Sequence, residues 1–185
     1  FEADEILRLL EHAKPHMRAM ILLGINCGFG NEDCGSLPLS AVDLKRGWLD
    51  FPRPKTSVQR TCPLWQETAE ALELAIKRRP SPRKEAEGRV FVTKYGGAYN
   101  KDTSTNPIST EFRKLTKKVD EIAAKEAKKR GRKAPPPITR PGCSFYALRH
   151  TFETIGGGSR DQVAVDHIMG HERDDMASVY REDID

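Results

Sequence analysis

The residues whose types could do chemistry crowd into the last forty positions of this 185-residue chain. Tyr146-Ala147-Leu148-Arg149-His150-Thr151-Phe152 is followed by Met169-Gly170-His171, and Tyr180 comes nine residues after that histidine. A tyrosine hydroxyl can act as a covalent nucleophile. An arginine can bond two phosphoryl oxygens in bidentate fashion, which a lysine cannot. Each residue taken alone also has an ordinary reading. Tyr180 can be a core tyrosine of an amphipathic helix, and Arg149 can pair with Glu153 on its own helix. His171 after Gly170 can cap a helix end, Tyr146 can simply pack, and Lys55 can be a solvated turn lysine. His150 points to a different helix face from Arg149, and we expect it to be a buried, hydrogen-bonded structural histidine.

The elements that must position these residues are mostly helical. Residues 3–12 carry Ile6, Leu9 and Leu10 at helical spacing. Pro15 can start a second helix that buries Met17, Met20, Ile21, Leu22 and Leu23 and stops near Gly28 and Gly30. A short turn over Glu32–Leu37 ends at Pro38. Val42–Leu44, Trp48–Phe51 around Arg46-Gly47, and 57–62 read as a small three-stranded antiparallel sheet. Helices are expected from Gln66 to about Arg78, and from a Ser109 cap to about Lys129. Val90-Phe91-Val92 reads as a short buried strand between them. Residues 131–142 form a flexible basic loop, because three consecutive prolines exclude a helix. Phe145–Ile155, Gln162–Met169 and about Asp174–Arg181 are the last helices. The fold class is mainly α with a small three-stranded antiparallel sheet (α+β), in one domain spanning 1–185.

Composition narrows the function classes. No apolar run approaches the ~18 residues of a membrane span, and there is no basic-then-apolar leader. Cys27, Cys34, Cys62 and Cys143 form no Cys-x-x-Cys pair and have no histidine at zinc spacing, so we expect no metal. Their scatter fits a reducing, cytoplasmic setting. The net charge of +4 says little, but eleven Lys and Arg outnumber the acids between Arg113 and Arg140. That excess can attract a polyanion such as DNA, or simply form a solvated face. Lys114, Lys117, Lys118, Arg132, Lys133 and Arg140 are the candidate DNA-binding residues.

The joint order and spacing of the late motifs resembles the phage integrase, or tyrosine recombinase, family. That family has a His-x-x-Arg-His-Thr-Phe-like box, a Gly-His about twenty residues on, and a tyrosine nine residues past that histidine. Upstream, residues 22–37 are similar to the family's segment carrying its first catalytic arginine: Gly28 and Leu37 match, and Asp33 stands at the acidic position. Arg53-Pro54-Lys55-Thr56 is similar to the family's β-hairpin lysine motif. The resemblance implies a catalytic domain, with the family's N-terminal DNA-clamping domain outside this chain. It also implies a site-specific recombinase acting on double-stranded DNA, with self-association into a tetramer on DNA and no cofactor. Tyr180 would attack a phosphodiester and form a 3′-phosphotyrosyl link. Arg149 and His171 would donate to the phosphate, and Lys55 would protonate the leaving 5′-oxygen. Tyr146 takes the place of the box histidine; its phenol can donate a hydrogen bond but is a poor base at neutral pH.

The family's first catalytic arginine is replaced by Gly30. Arg53 and Arg60 are the nearest cations that could stand in, and Arg18 is a more remote one. The alternative is a degenerate module that keeps the fold and binds DNA without cutting it. A helix-turn-helix regulator built from residues 162–181 would leave Lys55 and the arginine box unexplained. A type IB topoisomerase would share the chemistry while relaxing DNA.

Overall fold

The computed structural model describes residues 1–100 and 105–171. Tyr180 and the expected last helix lie outside the described residues. The described elements run α1 (Ala3–His12), α2 (Pro15–Asn26), α3 (Asn31–Ser36), β1 (Val42–Asp43), β2 (Trp48–Asp50), β3 (Thr61–Pro63), α4 (Gln66–Lys77), α5 (Pro107–Lys129), α6 (Ala147–Gly157) and α7 (Gln162–Met169). The sheet is antiparallel in the order β1-β2-β3, with Leu49 opposite Val42 on one side and Cys62 on the other. This is the expected mainly helical fold with one small sheet.

α2 is the centre of the molecule. It is apolar all round, which marks a helix with neighbours on every side, and Met20, Ile21 and Leu23 are fully buried. Pro15 occupies its first turn, where the missing N–H costs nothing. α4 and α6 both pack on α2, while α1 packs on α5. Gly24 permits the close α2–α6 approach: a Cβ there would lie 2.9 Å from Leu148 Cβ. α2 ends where Gly28 turns the chain with φ +62°, a conformation that side chains with a Cβ resist.

Several boundaries differ from expectation. The third strand is Thr61–Pro63, three residues rather than 57–62. The preceding residues form a tight turn closed by Arg53 N–H to Val58 O at 2.9 Å and Ser57 N–H to Arg53 O at 2.7 Å. Val90, Phe91 and Val92 are buried, yet they form no strand, since only the Pro38–Arg89 bridge and a Val90 N–H to Leu37 O bond pair this stretch. The cap of α5 is Asn106, whose side chain accepts from Ser109 N–H, with Pro107 in the first turn. α6 runs through Gly156 and Gly157 because Gly156 lies against Val165 of α7 with no room for a Cβ. The 131–142 segment is irregular, and its second half is tied down: Asp120 accepts the N–H groups of Ile138 and Thr139 at 2.8 and 2.9 Å, and Ile138 is fully buried. No helix among the described residues is long and apolar enough to cross a membrane.

Candidate active site

The site is built around one backbone turn, Met169–His171. α7 is capped at its start by the Asp161 side chain, which accepts from Ala164 N–H. It ends at Gly170 in the left-handed region, φ +62°. Gly170 is needed twice over: a Cβ there would come within 2.9 Å of Arg53 Cβ and 3.4 Å of Arg60 Cδ. The hairpin that carries both arginines therefore packs directly on the end of α7. His167 strengthens that docking by accepting from Thr61 N–H at 3.2 Å.

Arg149 of α6 reaches the same turn. It is 2% exposed. One terminal nitrogen donates to Gly28 O at 2.6 Å, and the other donates to Met169 O at 2.9 Å and faces His171 Nε2 at 2.9 Å. The left-handed turns at Gly28 and Gly170 thus present carbonyls to the guanidinium. Burial lowers the pKa of Arg149 and the neighbouring Arg53 charge adds to this, but an arginine so placed stays protonated. Because Arg149 has only donors, Nε2 of His171 is an acceptor here and Nδ1 carries the proton. Nδ1 lies 3.5 Å from Asp166 Oδ1, and the His171 N–H donates to Asp166 O at 2.9 Å. Asp166, which also accepts from Gln162 Nε2 at 2.9 Å, orients the imidazole. The sequence reading missed it; its position five residues before His171 on the same helix end was the available signal.

The hairpin supplies two further cations. Arg53 Nη1 donates to Gly170 O at 3.3 Å. Arg60 is 1% exposed. Its Nε donates to Phe51 O at 2.7 Å, its Nη2 to Asp33 Oδ1 at 2.6 Å, and its Cζ lies 4.3 Å over the Phe29 ring. Removing one partner of such a buried pair strands the other charge, at about 3–5 kcal/mol. Asp33 Oδ2 accepts from Gly30 N–H at 2.7 Å, so one carboxylate braces both the backbone at position 30 and Arg60.

Tyr146 lies directly against position 30. A Cβ at Gly30 would meet the Tyr146 ring at 3.1 Å. The ring stands partly exposed at the start of α6, edge-on to His150 at 5.1 Å between centroids. The two departures from the family pattern, glycine for arginine and tyrosine for histidine, thus occupy one space. His150 is exposed rather than buried as expected and faces Glu153 at 3.5 Å, because among the described residues no element covers its side of α6.

The structure therefore brings Arg149 and His171 together and leaves Tyr146 beside Gly30. Lys55 is exposed at the tip of the hairpin turn. Lys114, Lys117 and Lys118 are exposed on α5, and Arg132 and Lys133 are exposed on the segment after it. Arg140 is also exposed, but it is paired with the buried Glu5, its Nη2 3.0 Å from Glu5 Oε2. A separate cavity of about 590 Å³, bordered by Lys114, Lys118 and Glu111, shares no residue with the cation cluster. There Tyr99 donates to Glu111, and burial with that carboxylate pushes the phenol well up.

Comparison with known proteins agrees with this architecture. The family model described as the phage integrase family matches residues 1–185. Among solved structures, XerA recombinase superposes with a TM-score of 0.68 at 22% identity, covering 94% of this chain and 55% of that one. The Tn1549 transposon integrase in complex with transposon right end DNA gives 0.69 at 19% identity, covering 100% of this chain and 61% of that one. A lambda integrase tetramer bound to a Holliday junction gives 0.61 at 19% identity, covering 98% and 47%. The chain thus spans about half the length of these proteins. No curated protein sequence matches significantly. The mainly helical fold, the small hairpin sheet and the whole-length match lead to one assignment: this chain belongs to the phage integrase family of tyrosine recombinases.

Proposed function

We infer that this chain is the catalytic domain of a site-specific DNA recombinase that cuts and rejoins duplex DNA through Tyr180. The observation that carries this reading is the meeting of Arg149, His171, Arg53 and Arg60 at the Met169–His171 turn. Three arginine charges gather beside His171 with a carboxylate, Asp33, paired to only one of them, and a phosphodiester is an anion that their donors fit. The Tyr180 hydroxyl gives up its proton to solvent as its oxygen attacks phosphorus, and the bond to the 5′-oxygen breaks. Lys55, on the exposed hairpin tip, protonates that leaving oxygen. The 3′-phosphotyrosyl link conserves the bond energy, so a 5′-hydroxyl from another strand reverses the step without ATP. The exposed cations Lys114, Lys117, Lys118, Arg132 and Lys133 would hold the flanking backbone, and Arg140 would join them only by leaving Glu5. Exchange between two duplexes calls for several protomers, most simply a tetramer on DNA.

The test uses nicked duplexes enriched from a random pool by binding to the chain. A denaturing gel should show a covalent protein–DNA adduct that Tyr180→Phe abolishes while DNA binding survives. A second reading has one observation in its favour, the glycine at position 30 under the Tyr146 ring. It makes the domain a DNA-binding module that does not cut. That reading expects no adduct from the unaltered chain, with salt-sensitive binding intact.

A further inference from the structure

Arg60 is held on three sides and open on one. Its Nε and Nη2 donate to Phe51 O and Asp33, and its face lies on Phe29. Its Nη1 is buried without a hydrogen-bond partner among the described residues. Buried N–H groups are rarely left unmade, because each unsatisfied one forfeits its bonds to water. The Asp33 pairing therefore leaves one donor of this guanidinium available to a further acceptor.

The position of that nitrogen's side chain matters as much as its satisfaction. Arg60 packs its Cδ against Gly170, between the carbonyl that holds Arg149 and the histidine that faces it. Asp33 joins Arg60 to the backbone of Gly30, so the guanidinium stands one carboxylate away from the position where the family resemblance places an arginine. The Tyr146 ring lies against position 30 itself, 3.1 Å from where a Cβ would stand. Arg149 and Arg60 are buried to the same depth, 2% and 1% exposed.

We propose that Arg60 is a catalytic residue of this chain, its unpartnered Nη1 donating to a non-bridging oxygen of the scissile phosphate in place of the arginine that Gly30 replaces. This rests on the strand-cutting reading above. No proton leaves the guanidinium. Arg60 stabilises the negative charge that accumulates on the five-coordinate phosphate, and Asp33 and Phe29 fix it in advance so that no reorganisation is needed. Its signal in the sequence is alternation: Arg60 and Cys62 share the inward face of the hairpin, so an arginine sits where an apolar residue is expected.

The experiment measures single-turnover adduct formation on the nicked duplex for the unaltered chain, Tyr180→Phe, Arg60→Lys, and the double variant Arg60→Ala with Asp33→Ala. The double variant removes both buried charges together, and melting temperatures report folding. Each reaction is repeated with a methylphosphonate at the scissile position, which lacks one charged oxygen. The expected result is folded Arg60 variants that form adduct on the order of 10²–10³-fold more slowly on the phosphate substrate. Most of that deficit should vanish on the methylphosphonate. Folded variants that cut at the normal rate, or a deficit equal on both substrates, would overturn the proposal while leaving the recombinase reading intact. If the unaltered chain forms no Tyr180-dependent adduct on either substrate, the recombinase reading fails and the role of Arg60 fails with it.

Discussion

Arg149 buries a charge beside two other arginines, and it does so on backbone carbonyls rather than on a carboxylate. The carbonyls of Gly28 and Met169 each take one terminal nitrogen. This offsets desolvation without cancelling the charge, which a paired acid would do. The geometry depends on a flat fork with two ends. A lysine has one ammonium on a flexible stem and cannot span both carbonyls while still facing a phosphate. Arg149→Lys is therefore expected to slow adduct formation by roughly 10²–10³-fold and to lower the melting temperature, measured by single-turnover gels and thermal unfolding of the same sample. Full activity in a folded Arg149→Lys chain would mean that the fork is not what the site uses.

At the scale of elements, two close approaches set the site, and both run through glycine. The hairpin reaches the end of α7 because Gly170 offers no Cβ, and α6 reaches α2 because Gly24 offers none. α6 carries Arg149, so its distance from α2 fixes how far the guanidinium lies from Gly28 O at the end of α2. A methyl at position 24 would stand 2.9 Å from Leu148 Cβ, well inside ordinary contact. Helix propensity favours alanine over glycine, so this substitution sets packing against propensity. Packing should win, because both helices are buried and neither can give way cheaply. Gly24→Ala is expected to destabilise the domain by about 1–3 kcal/mol, as read from urea unfolding. A stabilised variant would show that α6 rides on α2 more loosely than the contact implies.

Across the whole molecule, the first helix is fastened to the segment that precedes α6 by one ion pair. Glu5 is 5% exposed and bonds Arg140. The Arg140 hydrogen bond holds the Glu5 carboxyl below its ordinary range, against the opposing effect of burial. A depressed folded-state pKa means stability that is present above the unfolded value of about 4.3 and lost as pH falls through the lower folded value. Glu5→Gln should therefore cost roughly 1–2 kcal/mol at neutral pH. The urea midpoints of the two chains should converge as the pH drops below the folded-state value of Glu5. A gap that stays constant down to acid pH would show that the loss is one of packing and not of charge.

What the amino-acid order determined by itself was periodic or local. Helix-spaced apolar residues placed α1 and α2, Pro15 marked a start, and the spacing from Arg149 to His171 to Tyr180 marked the family. These signals lie within a few turns of chain, or in a motif whose spacing is read directly. The tertiary structure decided what depends on surfaces meeting. Arg60 became part of the site because the hairpin folds onto Gly170, a partner more than a hundred residues away in sequence. Asp166 became the brace for His171, and the Tyr146 ring came to lie against position 30. His150 was left outside and Val90–Val92 was buried without a sheet to join. Burial and partner choice are properties of packed faces, so a run of residues can announce its own conformation but not what will be pressed against it.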